Sequence, residues 1–274
     1  MDDLKFSVLI SVYKNDNPAE LKTALESVWD RQTLRPNEIV IVEDGPIPEE
    51  LSGVIAAFAE KAPVRRLPQK VNRGLGAALA VGVSACTYDY IARMDSDDIS
   101  CDDRFQKQIG YLREHPEVDI CGSAIAEFES DPAIVSGIRS TPEKHKDIRK
   151  FLNFRNPVNH VTAFFRKKAI LDAGNYQPLI GYEDYWLWAR CLQKQAVFHN
   201  LGESLVQVRI GNNMHARRRG FKLIRSEIAL YWGMYKIGLL SLPRSLMSIA
   251  IKAPVRLLPK NMIKIVYNKF LRRH

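Results

Sequence analysis

The chain has 274 residues, 46% hydrophobic and 26% charged, the balance of a soluble globular protein with room for one large α/β domain and an appendage. Its longest apolar stretch, residues 228–242, is broken by Lys236 and falls short of the roughly 18 residues that span a bilayer. Residues 215–274 carry fourteen Lys and Arg against one acid, Glu227, within a net charge of +9, so an anionic partner is expected for this basic tail.

In chain order, residues 6–12 form a short apolar run of the kind a strand buried on both faces shows. Asn17-Pro18-Ala19-Glu20 reads as N-cap, Pro at N1 and Glu at N3 of a helix with Leu21, Ala24, Leu25 and Val28 on one stripe. Residues 38–42 predict a second strand, ending in the acidic turn Glu43-Asp44-Gly45-Pro46. A helix over 49–61 and a third strand over 64–67 follow. Asn72-Arg73-Gly74 then opens a helix whose small residues, Ala77, Ala78, Ala80 and Gly82 among them, suit close packing on a sheet. Residues 88–94 read as a strand running into Asp95-Ser96-Asp97-Asp98. Ser100 and Asp103 have capping-box spacing for a helix with Phe105, Ile109 and Leu112 on one face.

The second half is less regular. It predicts a strand over 118–128, a helix capped by Thr141-Pro142 and running to about 154, and a strand-like stretch over 160–166. An aromatic-rich helix starts after Gly181. Short strands are expected at 197–198 and 205–210, and helices from 221 onward, punctuated by Pro243, Pro254 and Pro259. The early βαβαβ rhythm predicts an α/β fold with a doubly wound, mostly parallel sheet that binds a nucleotide at its carboxyl edge. Cys86, Cys101, Cys121 and Cys191 show no metal-ligand spacing and read as thiols of a reducing compartment. Met1-Asp2-Asp3 does not open a secretory signal, so a cytoplasmic location is expected.

Asp95-Ser96-Asp97-Asp98 is the most informative stretch. Carboxylates crowded at a strand's C-terminal end repel one another unless a cation or solvent relieves them. Mg²⁺ and Mn²⁺ favour such oxygens and are often shared with substrate phosphates. Alone, the motif reads as readily as an Asp-rich turn that caps a helix. Asp44 before Gly45-Pro46 can likewise simply initiate a turn, and Glu183-Asp184 can be first-turn acids favoured by a helix macrodipole.

Residues 8–13, Val42-Glu43-Asp44-Gly45, Asn72-Arg73-Gly74, Arg93-Met94-Asp95-Ser96-Asp97-Asp98 and the downstream Glu183-Asp184 stand in one order and strand context. Over about residues 6–210 this resembles the inverting nucleotide-sugar glycosyltransferases of family 2, with the GT-A fold, and among them the enzymes of bacterial capsule, exopolysaccharide and O-antigen assembly. The resemblance implies a catalytic domain over 1–214, with a nucleotide-binding half to about 98 and an acceptor half over 99–214. It implies that Ser11 and Tyr13 border the donor base and ribose, and that Asp44 meets the base, usually uracil. Asp95 would hold ribose or metal, Asp97 would ligate Mn²⁺ or Mg²⁺, and Asp184 would be the general base. His215 is the expected third metal ligand, with His199 and His160 as rivals. Glu183, Trp186 and Arg209 are expected near acceptor or diphosphate.

The chemistry independently asks for such groups: charge neutralisation of a leaving diphosphate and a carboxylate to activate an acceptor hydroxyl from the opposite face of the sugar. The expected function is transfer from a nucleotide sugar, a UDP-sugar, to a lipid-linked polysaccharide. A sugar-phosphate nucleotidyltransferase is the alternative, but Tyr13-Lys14-Asn15-Asp16 replaces the Gly-rich basic loop of that class. A non-catalytic nucleotide-sugar-binding module is disfavoured by the intact carboxylates. In the extension, residues 215–274, Met262, Ile263, Val266 and Phe270 fall on one helical stripe with Lys260, Lys264 and Arg272 on another face. That pattern predicts docking on the inner face of the cytoplasmic membrane rather than on nucleic acid.

Overall fold

The computed structural model describes residues 4–210 and 220–253. Strand β1 (Phe6–Val12) lies between β2 (Glu38–Glu43) and β4 (Tyr90–Met94), with β3 (Val64–Pro68) beyond β2, and all these pairings are parallel. The connecting helices are α1 (Pro18–Val28), α2 (Glu49–Ala59) and α3 (Leu75–Ala85). Asn17 caps α1 as its sequence predicts, its side chain accepting from Ala19 N at 2.9 Å and Glu20 N at 3.3 Å. Val8, Ile10, Ile39 and Ile41 pack under α1 and α2, whereas Leu9, Val40 and Val42 pack under α3. This two-sided burial is why β1 and β2 read as unbroken apolar runs. Because β1, β2 and β4 run the same way, the chain segments after Val12, Glu43 and Met94 all emerge on one edge.

Gly82 brings α3 onto the sheet. A Cβ there would stand 2.3 Å from Leu9 Cδ1 and 2.9 Å from Val42 Cγ2. Overpacking of this kind costs about 1–3 kcal/mol. Gly82→Ala is therefore expected to lower unfolding stability by about that amount, read as a lower denaturation midpoint in urea at unchanged slope.

The second half extends the sheet with mixed polarity. Its strands are β5 (Ile99–Ser100), β6 (Ile120–Phe128), β7 (Val135–Arg139), β8 (Phe164–Arg166) and β9 (Phe198–Arg209), and the order across the sheet is β3-β2-β1-β4-β8-β6-β9-β5, with β7 on β6. Pairing is antiparallel at β4–β8, β8–β6, β6–β7 and β9–β5 but parallel at β6–β9. Parallel character therefore belongs chiefly to the N-terminal half.

Several local expectations change here. Ser100 does not cap a helix: it pairs with Val206 in β5, its N–H bonds Ser27 Oγ at 3.0 Å, and α4 (Arg104–Glu114) begins only later. Thr141-Pro142 stays extended, Pro142 O accepting from Asn200 Nδ2 at 2.6 Å, and α5 (His145–Leu152) starts three residues on. Residues 160–162 form a single 3-10 turn ahead of β8. The two short strands expected at 197–198 and 205–210 are one strand, β9, whose mismatch with β6 is absorbed by irregularities around Ala124.

Helices α6 (Lys167–Asp172) and α7 (Glu183–Gln193) cover the sheet, and α8 (Phe221–Lys236) and α9 (Leu242–Lys252) follow. Trp188 is fully buried beneath α7. The described part of the basic extension folds back on this body. Leu230, Tyr231 and Met234 of α8 join the α7 core, and Trp186 presses its ring against Gly233. Among the described residues no helix is long and apolar enough to cross a membrane. The stripe from Met262 to Phe270 lies outside the described residues.

Candidate active site

The emerging segments of the parallel edge enclose a hollow of about 550 Å³. Ser11 and Tyr13 at the end of β1, Asp44 after β2, and Asp95 and Asp97 after β4 all line it, together with Asp16 and Glu20. Five carboxylates thus face one space, and among the described residues no Lys or Arg contributes to its lining.

Local chemistry holds each wall. Asp16 Oδ2 accepts from Tyr13 N at 3.1 Å and from Ser96 Oγ at 2.8 Å, joining the β1 and β4 ends. Asp44 anchors the opposite rim: its two oxygens accept from Arg73 N at 2.8 Å and Gly74 N at 2.9 Å, while Asn72 Nδ2 donates to Asp44 O at 3.0 Å. The Asp44 carboxylate thus braces the distant turn at residues 72–74 and not a turn of its own at Gly45-Pro46, and Asp44 lines the hollow. Gly74 adopts φ +87°, which a side chain would resist, and the Arg73 side chain is exposed.

The acidic loop is electrostatically loaded. Burial, then the neighbouring charges of Asp95, Asp16 and Glu20, push the Asp97 carboxyl up to about 6. Burial and the charges of Asp95 and Asp97 raise Asp98 still more strongly, against the hydrogen bond it accepts from Arg209 N at 2.8 Å. The guanidinium of Arg93 forks onto both oxygens of Asp95. Arg104 lies wholly buried behind this loop, donating to Arg93 O at 2.8 Å and Val161 O at 3.1 Å; burial lowers its pKa to about 9. Arg104 thus braces the β4 end and does not reach the hollow.

One oxygen from each of Asp95, Asp97 and Asp98 lies within 4.8 Å of the others. An all-oxygen, multiply charged set of this kind fits a hard divalent cation such as Mg²⁺ or Mn²⁺. The third ligand expected at His215 lies outside the described residues. Its rivals stand elsewhere: His199 stacks on Tyr111 at 4.2 Å, and His160 is hydrogen-bonded to the Tyr176 hydroxyl at 2.8 Å. Burial, and then Arg93, hold His160 well below its ordinary pKa.

Glu183 and Asp184 begin α7. Glu183 packs against the start of α3, where a Cβ on Gly76 would sit 2.8 Å from its Cγ, and neither Glu183 nor Asp184 is in the lining of the hollow. Asp184 accepts from Tyr185 N at 2.7 Å and from Asn156 Nδ2, and burial raises its pKa against those hydrogen bonds and the charge of Arg93. Arg93 thus serves both carboxylate groups, paired with Asp95 and felt by Asp184. Tyr176 is likewise influenced by Asp95 and Asp184. Trp186 and Arg209 are occupied differently. Trp186 Nε1 donates to Gln177 Oε1 at 2.9 Å while the ring packs on α8. Arg209 lies 3.1 Å from Glu20 and over the Phe128 ring at 4.7 Å, which places its cation at the rim of the hollow.

Sequence reasoning missed Asp16, Glu20 and Asn156 as site residues. Asp16 was legible only as part of the loop after β1, and Glu20 only as helix entry. Nothing local marks Asn156.

The carboxylate-lined hollow lies at the carboxyl edge of the wound parallel sheet, where open α/β sheets bind their ligands, and the fold is that of the GT-A glycosyltransferases. The model of glycosyl transferase family 2 matches residues 7–174. The chain is 38% identical over 264 residues to the amylovoran biosynthesis glycosyltransferase AmsE of Erwinia amylovora, covering 96% of this chain and 98% of that one. It is 34% identical over 272 residues to the UDP-Gal:alpha-D-GlcNAc-diphosphoundecaprenol beta-1,3-galactosyltransferase of Escherichia coli, covering 99% and 98%. Its fold matches S. aureus TarS 1–349 in complex with UDP-GlcNAc with a TM-score of 0.70 at 14% identity, over 98% of this chain and 76% of that one. The chain spans 44% of the longer TarS structure. It belongs to glycosyl transferase family 2 and is a glycosyltransferase.

Proposed function

We propose that the protein transfers a sugar, with inversion, from a UDP-sugar to a lipid-diphosphate-linked glycan in bacterial polysaccharide assembly, with a divalent cation at Asp95, Asp97 and Asp98. Ser11, Tyr13 and Asp44 bind the nucleoside, and Asp184 takes the proton of the acceptor hydroxyl. A bound Mn²⁺ or Mg²⁺ would supply the positive charge that a leaving diphosphate needs. Glu183 and Tyr176 shape the ground between donor and base, and Asn156 holds the Asp184 carboxylate in one orientation. A single displacement with Asp184 as base needs no covalent intermediate.

The observation that carries this reading is the hollow with five carboxylates and, among the described residues, no cationic side chain in its lining. A nucleoside diphosphate is repelled from such a space unless a cation enters with it. The kinship over nearly the full length with an enzyme named for UDP-galactose and a diphosphoundecaprenol acceptor supports the donor and acceptor classes. A thermal-shift series with UDP, GDP and dTDP, each with and without Mn²⁺, tests it. UDP with Mn²⁺ is expected to raise Tm, and UDP alone to have little effect. Equal shifts with and without the cation, or a preference for GDP, would refute this reading.

A further inference from the structure

Helix α9 packs Ile249 on the core but shows most of its larger apolar side chains outward. It turns Ser245 and Ser248 inward, where Ser245 Oγ donates to Tyr231 O at 2.8 Å, and leaves Leu242, Leu246, Met247 and Ile251 between 39% and 62% exposed. At 100° per residue these four side chains and Ala250 spread over about half of the helix surface. Burial of apolar area favours the opposite arrangement, so this side is disposed toward an apolar environment outside the folded body.

Cations border the apolar side. Arg244 stands on its flank and, with His145, Lys146, Arg149 and Lys150 of α5, lines a hollow of about 470 Å³ to which, among the described residues, no carboxylate contributes. Asp147, the acid of α5, is 3.9 Å from Lys150 and outside that lining. At the other end of α9, Lys252 donates to Phe154 O just past α5, beside the 59% exposed Phe154 ring. Arg244, on α9 itself, joins the basic hollow to the exposed side of the helix.

Charge decides among the occupants. A second copy packed symmetrically would set this cation cluster near its own image. Residues 254–274 of the chain itself add six further Lys and Arg and no acid, so like charge opposes their resting over the hollow. An anionic lipid surface satisfies both halves of the face, apolar side chains entering the headgroup boundary and cations meeting phosphates.

We propose that α9 and the α5 hollow dock the protein on an anionic phospholipid surface; the purpose of this face, though not its test, rests on the lipid-linked acceptor proposed above. The test is co-sedimentation of the full chain with vesicles of equal phosphatidylglycerol and phosphatidylcholine, against phosphatidylcholine alone, at low and high salt. The double variants Leu246→Asp/Met247→Asp and Arg149→Glu/Lys150→Glu are compared with wild type, their circular dichroism confirming the fold. Wild type is expected to bind the mixed vesicles selectively and to be released by salt. Each lost cation weakens binding about fivefold, so the charge-reversal pair should lose at least about 25-fold, and the apolar pair at least about tenfold. Wild-type affinity in either variant overturns the proposal. So does a concentration-dependent dimer that the Leu246→Asp/Met247→Asp variant dissolves, which would assign the face to a second copy. Vesicle selectivity in a chain that turns over no UDP-sugar would uphold this face while sinking the functional reading, and the reverse result would do the opposite.

Discussion

Asp184→Asn is expected to leave UDP-sugar binding within a few-fold of wild type while lowering the rate of transfer about 10²–10⁴-fold, the range of general-base catalysis. The substitution is nearly isosteric and keeps one oxygen to accept from Tyr185 N, while giving up the second acceptor that Asn156 Nδ2 uses. A pH series adds a second reading. Burial raises the Asp184 pKa. The base works only when ionised, and its ionised fraction falls as pH falls through that raised value. The acid limb of the wild-type rate should therefore lie above the ordinary carboxylate range near pH 4. Rates measured across pH 4–8 check it. A wild-type rate in the Asn variant would remove Asp184 from the base role.

Asp97→Asn should be comparably severe for a different reason. It removes one carboxylate from a crowded set, so the repulsion stored in the cation-free site drops and the Tm without added metal should rise. The same change weakens the grip on a divalent ion, and with it the neutralisation of the leaving diphosphate, worth several kcal/mol in metal-assisted transfer. Donor turnover should fall on the order of 10³-fold, and added Mn²⁺ should no longer raise Tm. The two readouts move in opposite directions, which a merely misfolded variant cannot reproduce. An Asn variant that still gained stability and activity with Mn²⁺ would place the ion elsewhere.

The parallel half of the fold was legible because its causes are local. Strands buried on both faces leave apolar runs, and the Asn17 cap and the Gly74 turn act within a few residues. Ser11, Tyr13, Asp44, Asp95 and Asp97 meet in one hollow because they end parallel strands, a relation that the alternation of strands and helices already implies. What escaped depends on distant partners. Ser100 has good helix-capping chemistry, yet β9, about a hundred residues later, recruits it as strand. Glu203 and the glycine before it split β9 into two apparent pieces, because the irregular pairing with β6 that tolerates them is invisible locally. Asn156 became a neighbour of Asp184 only through tertiary packing. Trp186, suited by its chemistry to line a sugar groove, is turned instead onto α8.

The clasp between Arg209 and the loop after β4 has a consequence for biogenesis. Asp98 obtains its backbone donor, and Ile99–Ser100 their strand partner, from a segment synthesised more than a hundred residues later. Contacts so far apart in sequence form late and slowly. On the ribosome, the nascent wound sheet can assemble while the acidic loop still lacks its latch. A chain stalled before β9 would therefore expose an unpaired strand edge and a cluster of unneutralised acids, making it a target for chaperones or proteases.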